Sequence, residues 1–214
     1  MGAIKLPHAS GNSISICAPA TNPASDLELK LPATIGSAGN ILRNSSTAGT
    51  LEFTNGGITN YDEWWYTAST ELNNNSALDL TANFSRQTAP SVIGSAMTES
   101  SGVFTFPSTG IWTISCIGNM YRTGGGRKAV GWYIKYTAND GTSWATQASA
   151  FDNIYHSGSD ATYICPRCET TLDITDTSNQ KVKFTTFADN SGVYLSGTAS
   201  YDSVSFRFTK IGET

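Results

Sequence analysis

ESSGVFTFPSTGIWTISC, residues Glu99–Cys116, is the stretch on which the fold turns. It sets a short aromatic strand (Val103–Phe106), a Pro-Ser-Thr-Gly turn (Pro107–Gly110) and a second alternating strand (Ile111–Cys116) in direct succession. Val, Phe, Ile, Trp and Thr fit a pleated, half-buried surface. Pro fixes φ and Gly tolerates a reversal, so the stretch predicts a β-hairpin.

The same grammar continues on both sides. From Trp64 onward strands are expected at Trp64–Thr70, Leu78–Phe84, Ser91–Ile93, Lys128–Thr137, Ser143–Ala150, Ala161–Cys165, Thr170–Ile174, Lys181–Phe187, Gly192–Ser196 and Tyr201–Lys210, with Ile111 running on to Met120. Turn signals separate them at Asn73-Asn74-Asn75, Gly124-Gly125-Gly126, Asn139-Asp140-Gly141, Ser157-Gly158 and Asn190-Ser191-Gly192. No segment holds a 3.6-residue period over a helix length, so the chain reads as an all-β sandwich or barrel of antiparallel strands. Alternation assigns the core: Val130, Trp132, Ile134 and Tyr136 on one face of a strand, Val182 and Phe184 on the next, and Val204, Phe206 and Phe208 on the last. Each aromatic buried this way contributes about 1.5–3 kcal/mol.

Upstream of Asn55-Gly56-Gly57 the texture changes. Short alternating pieces (Ile4–Leu6, Ser13–Cys17, Leu27–Leu31, Ile41–Arg43, Thr50–Phe53) are separated by Pro, Gly, Asn and Ser, and two of them end alike, as IKLP and LKLP. The first 60 residues carry three cations and three anions and few large side chains, too little to close a core of their own. Residues 1–58 are therefore expected to be an extended arm, and 59–214 the globular domain.

Composition excludes several functions. Charged residues make up 14 % of the chain, against about 25 % in an average soluble protein, and the net charge is −4. That argues against a nucleic-acid partner, which rewards basic patches. No apolar run approaches the roughly 20 residues of a membrane span, and the N-terminus lacks the apolar stretch of a secretory signal. Catalytic constellations are scarce. His8 and His156 are the two histidines, and no G-x-S-x-G elbow accompanies them. The paired carboxylates Asp62-Glu63 and Asp173/Asp176 read as solvated turn residues, and the second pair offers too few oxygens for calcium. Arg122, Arg127 and Lys128 flank a glycine run without a P-loop pattern, so a hairpin tip is expected there. In Trp64-Trp65-Tyr66 only Trp64 and Tyr66 share a side, which favours core or subunit contact over a sugar-stacking platform. Cys116 and Cys17 read as buried free thiols. Cys165-Pro-Arg-Cys168 lacks the second pair of ligands that a structural zinc site wants, leaving free or locally bridged thiols ahead of metal or redox roles. Neither a metal, a cofactor nor an enzymatic activity is expected.

Two stretches taken together carry a resemblance. SVIGSAMTESSGVFTFPSTGIWTIS (Ser91–Ser115), with the closing YDSVSFRFTKIG (Tyr201–Gly212), resembles the C1q/TNF-like jelly roll, in which a Gly-x-Phe-x-x-Pro-x-x-Gly-aromatic hairpin opens the sandwich. Gly102, Phe104, Pro107, Gly110 and Trp112 fit that pattern with a shift of one place at Trp112. Ile4–Phe53 is similar to a module of tailed-phage virion proteins, notably cyanophage-like ones, that commonly precedes a C1q-like tip. The Cys165/Cys168 pair belongs to neither pattern.

The resemblance implies an antiparallel jelly-roll β-sandwich behind an extended, short-stranded N-terminal arm, assembled as a homotrimer. It implies a structural protein on the outer surface of a virion, with the major capsid protein or another virion protein as partner and neither nucleic acid nor membrane. With the module starting at Ile4, the arm is expected to be the attachment device, through Ile4, Leu6, Ile14, Ile16, Leu27, Leu29 and Leu31. Core or trimer packing falls to Phe104, Phe106, Trp112, Trp132, Tyr136, Phe206 and Phe208. These features suit a trimeric capsid decoration (cement) protein that stabilises the head. A small tail fibre or spike, its tip binding host receptors or glycans, is the alternative.

Overall fold

A computed structural model describes residues 3–7, 11, 13–17, 28–45, 47–72, 75–86, 92–124, 126–156, 158 and 160–214, with the backbone alone at 3–7, 13–17, 55, 126–127 and 156. His8, Leu27 and parts of the turn signals at 73–74, 125 and 157 lie outside the described residues. The chain divides into two compact units, Met1–Gly56 and Gly57–Thr214.

The first unit contains two antiparallel ribbons. Strand β1 (Ala3–Pro7) pairs with β2 (Ser13–Cys17), setting Ile4 opposite Ile16 and Leu6 opposite Ile14. Strand β3 (Asn40–Asn44) pairs with β4 (Leu51–Asn55). The expected strand Leu27–Leu31 is reduced, among its described residues, to a single parallel bridge from Lys30 to Thr50.

The second unit is a two-layer antiparallel sandwich, and no helix occurs among the described residues. Its elements are β5 (Asn60–Tyr66), β6 (Ser69–Glu71), β7 (Ser76–Asp79), β8 (Phe84–Arg86), β9 (Val92–Ile93), β10 (Thr98–Ser100), β11 (Val103–Thr105), β12 (Gly110–Gly118), β13 (Met120–Arg122) and β14 (Gly126–Thr137). They continue with β15 (Ala145–His156), β16 (Thr162–Ile164), β17 (Arg167–Ile174), β18 (Lys181–Ala188), β19 (Val193–Ser196) and β20 (Val204–Gly212). One layer runs β10-β11-β18-β14-β15, the other β17-β12-β20-β5-β8, with β9 also on β5. A smaller sheet, β16-β13-β19-β6, stands beside them.

The opening stretch folds differently from its reading. β11 and β12 do not pair: they lie in opposite layers, and the Pro107–Gly110 turn carries the chain from one to the other. The alternation explains why. Phe104 and Phe106 of the first piece and Trp112 and Ile114 of the second are all buried, and a hairpin would put them side by side on one face. Placed in two layers they face each other across the core instead, as the Phe106–Trp112 rings do at 5.3 Å. The hairpin is one step earlier, β10 to β11, closed by Ser101-Gly102 with φ of 52° and 80°, the left-handed pair of a type I′ turn.

Several expected strands are also interrupted or extended. Trp64–Thr70 breaks into β5 and β6, Leu78–Phe84 into β7 and β8 around Asn83 (φ 66°), and Ile111–Met120 into β12 and β13. β15 continues past the expected Ala150 to His156.

Both layers contribute to one aromatic core. Phe104 meets Trp64, Phe84 and Phe184 edge-on at 5.1–5.6 Å and Phe208 at 5.0 Å. Phe206 meets Phe184 at 4.5 Å and Trp132 at 5.9 Å. Such offset and edge-to-face pairs add to plain area burial.

Asp62 is a further correction. It is not a solvated turn residue but lies inside β5, almost fully enclosed. Arg86 grips it with two bonds (Nε to Oδ1 2.9 Å, Nη2 to Oδ2 3.0 Å), while Trp64 Nε1 and the Met97 N–H also donate to Oδ2. Arg86 lies over the Trp64 ring at 4.3 Å and donates to the Met97 carbonyl, so every charge is answered.

Candidate functional site: the outward face of the six-stranded sheet

Residues two apart in a strand share a side, so the positions between core residues build the opposite face of the layer. Register aligns them into rows. Trp65, Ser205, Ile117 and Arg167 form one; Glu63, Arg207, Ser115 and Glu169 the next; Tyr61, Thr209, Thr113 and Thr171 the third. The face is polar and tightly hydrogen-bonded at the β5 end. Arg207 Nε donates to Glu63 Oε1 at 2.7 Å, and the Tyr61 hydroxyl donates to Glu63 Oε2 at 2.7 Å.

These contacts separate the charges of two neighbouring carboxyls. Burial alone would raise Glu63, but hydrogen bonds from Tyr61 and Arg207, with the Arg207 charge, hold it below its ordinary value. Asp202 moves the other way, raised by burial and by the adjacent Glu63. Tyr61 is pushed up to about 12 by burial and its bond to Glu63. Asp202 Oδ1 and Trp65 Nε1, both enclosed, have no hydrogen-bond partner among the described residues.

The small sheet continues this alternation past Gly118. Met120, Val193 and Leu195 are buried, so Tyr121 and Tyr194 occupy the other face. One row crosses all four strands: Tyr163, Tyr121, Tyr194 and Glu71. The Tyr121 and Tyr194 rings stack at 5.1 Å with 17° between planes, and Tyr121 meets Tyr163 at 5.5 Å and 32°. Ser69 Oγ lies 3.2 Å from the Tyr121 hydroxyl. The Glu71 charge raises the Tyr194 hydroxyl, and Glu71 Oε1 also accepts the Gly192 N–H at 3.0 Å. The Tyr121 ring is thus flanked by a ring on each side, and its hydroxyl is engaged within the same sheet by Ser69. The row escaped sequence reasoning because its members sit 31 and 42 residues apart. Their common signal is weak: a tyrosine centred in a three-residue piece, MYR, TYI or VYL.

The residues expected for core or trimer packing are placed as follows. Phe104, Phe106, Trp112, Trp132, Phe206 and Phe208 are enclosed within the chain itself. Tyr136 is half-buried, and its hydroxyl accepts from Gln180 Nε2 at 2.7 Å. Of the arm residues, Leu29 and Leu31 are exposed; Ile4, Leu6, Ile14 and Ile16 are placed by backbone register, and Leu27 lies outside the described residues. Arg122 points into the protein rather than flanking an anion loop. Asp173 is exposed near the end of β17, and Asp176 organises its own turn by accepting the Ser178 and Asn179 N–H groups.

Cys165 is exposed while Cys168 is buried. Cys168 lies opposite Cys116 across β12 and β17. The facing Cys116 thiol lowers Cys168, and burial raises Cys116 well above the ordinary thiol value.

No protein-family model matches this chain, and no curated protein matches it in sequence. Solved structures do match its fold. Murine APRIL at pH 5.0 superposes with a TM-score of 0.50 at 9 % identity, over 71 % of this chain and 98 % of its own. Eiger TNF from S. frugiperda gives 0.50 at 9 % identity, over 72 % and 95 %. The PRD1 vertex protein P5 superposes more loosely, at 0.41 and 13 % identity over 73 % and 100 %. At these identities the likeness to the first two is one of fold, a TNF-like antiparallel jelly roll.

Proposed function

We propose that this chain is a structural protein of a virus particle: a homotrimeric capsid decoration protein that grips the shell through its N-terminal unit and displays the sandwich outward. One observation carries the reading. The sandwich closes its own core, whereas among the described residues every buried core side chain lies outside the first unit, and Ile35, Leu31 and Leu29 of that unit stand in solvent at 96 %, 75 % and 63 % exposure. Exposed apolar groups on short ribbons gain most by docking on a larger surface. The virion setting rests on the resemblance of Ile4–Phe53 to tailed-phage modules.

The tyrosine row favours protein contact over glycan capture. Stacked rings cover one another instead of leaving open π-faces, and tyrosine is the amphipathic, low-entropy side chain of protein interfaces. The test pairs two sets of substitutions in the full chain. Leu29→Ser with Leu31→Ser and Ile35→Ser should abolish particle binding and leave the trimer intact by light scattering. Tyr121→Ala with Tyr194→Ala should weaken the trimer. A wild-type protein that sediments as a monomer at micromolar concentration, or an arm variant that still decorates particles, refutes the reading.

A further inference from the structure

We propose that Cys116 and Cys168 form a cross-strand disulfide that staples β17 to β12 whenever the chain meets a disulfide oxidant. The two residues are direct partners in an antiparallel pair, with Cys116 fully buried and Cys168 nearly so. Directly opposed residues in such a pair have Cα atoms about 4.5–5.5 Å apart. A disulfide spans about 4.4–6.8 Å, so closure requires side-chain rotation and no strand movement. Cys116 shares the core-facing side of β12 with Trp112 and Ile114, and its register partner Cys168 faces it from β17. Among the described residues no cluster of three His, Cys, Asp or Glu side chains could hold a metal here, so the pair is complete as a pair.

The position gives the bond a purpose. β17 is the outermost strand of the six-stranded layer, held in that layer by β12 alone. Edge strands fray first, and a covalent tie from the edge to its neighbour opposes that. The burial that hides the thiols also hides the bond, so reductants reach it only when β17 detaches. Cys165 stands apart from this chemistry: it is exposed, on the link between β16 and β17.

With oxidised glutathione the steps balance. The Cys168 thiolate attacks one glutathione sulfur and expels a glutathione thiolate, leaving a mixed disulfide on Cys168. Cys116 then loses its proton and attacks the Cys168 sulfur, expelling the second thiolate. Two cysteine thiols are oxidised, one glutathione disulfide is reduced to two glutathione thiols, and both protons end on those products.

The experiment uses the full chain, refolded or briefly opened in sub-denaturing urea with oxidised and reduced glutathione, then blocked with an alkylating agent and digested without reductant. The expected result is a cross-linked peptide pair holding Cys116 and Cys168, an intact mass lower by two hydrogens, and alkylation at Cys165. Melting should rise by roughly 5–15 °C and fall back on adding dithiothreitol. The Cys165→Ser variant should behave like wild type, while Cys116→Ala should lose both the cross-link and the dithiothreitol-sensitive rise. A cross-link from either residue to Cys165 or Cys17, or two alkylated buried thiols after oxidative refolding, overturns the proposal. Because the peptide map is read on the wild-type chain, it stands whether or not a variant folds.

Discussion

Ile35 and Phe184 are both large apolar side chains, yet one is 96 % exposed and the other is wholly enclosed. The first belongs to a unit of two-stranded ribbons, β1–β2 and β3–β4; the second to a unit in which one sheet faces another. A lone ribbon hides little of either face, whatever its alternation, and is marginal in water. A second layer turns the same alternation into a core. What separates the two units is therefore aromatic density and the chance to meet a facing sheet, not strand propensity. The sandwich encloses the aromatic set of its core, while the first unit keeps Leu29, Leu31 and Ile35 available, as the attachment proposal requires.

Ion pairs sharpen that comparison, and the largest effect is expected here. Arg43 Nε and Glu52 Oε1 sit 3.1 Å apart across β3 and β4 with both side chains more than 40 % exposed, whereas Asp62 is enclosed and accepts four donors in the sandwich. Truncating Asp62 leaves the Trp64 and Met97 N–H groups and part of the Arg86 charge unanswered. Asp62→Ala is expected to cost about 3–5 kcal/mol in urea denaturation. Arg43→Ala should cost at most about 1 kcal/mol. Equal costs would erase the distinction between the units.

Glycines give a second contrast of intermediate size. Gly39 and Gly102 both have left-handed φ, at 85° and 80°. A Cβ on Gly39 would meet open space, whereas on Gly102 it would stand 1.9 Å from the Leu80 carbonyl oxygen, a backbone atom that cannot swing aside. Gly102→Ala is expected to cost about 2–3 kcal/mol, from φ strain and the clash together. Gly39→Ala should cost about 1 kcal/mol from φ alone. Thermal melting of the two variants in parallel reads the difference.

These particulars show what was legible in the residues. Period-2 alternation marked the interior faces of β14, β18 and β20 because burial on one face leaves a local trace. Sheet membership left none: the Pro107–Gly110 turn serves a hairpin or a layer crossing equally well. The decision came from Phe106 staying buried against Trp112 and Phe208, a long-range fact. Asp62 read as solvated because its partners Arg86 and Met97 lie 24 and 35 residues away. The tyrosine row and the Cys116–Cys168 pair were hidden for the same reason: register, not spacing, assembles them.

The smallest expected effect lies at a partly buried ion pair of the sandwich. Asp79 Oδ2 takes Lys183 Nζ at 2.6 Å and its Oδ1 takes the Thr185 hydroxyl at 2.5 Å, with Lys135 3.6 Å away. Burial works to raise this carboxyl, but the hydrogen bonds from Lys183 and Thr185 and the two lysine charges outweigh it and hold Asp79 below its ordinary 3.8. A carboxyl lowered on folding binds fewer protons in the native state, so its contribution is present above the unfolded value and lost as pH falls through the folded one. Asp202 is raised, so its contribution has the opposite sense, present at low pH and lost as pH climbs through its folded value. The overall acid curve mixes the two, but the difference between wild type and Asp79→Asn isolates one. That difference should be about 0.5–1 kcal/mol at neutral pH, given the exposure of the pair, and should close as the pH drops below 3.8. A gap that persists unchanged into that acid range would mean the asparagine disturbs packing between β7 and β18, not charge.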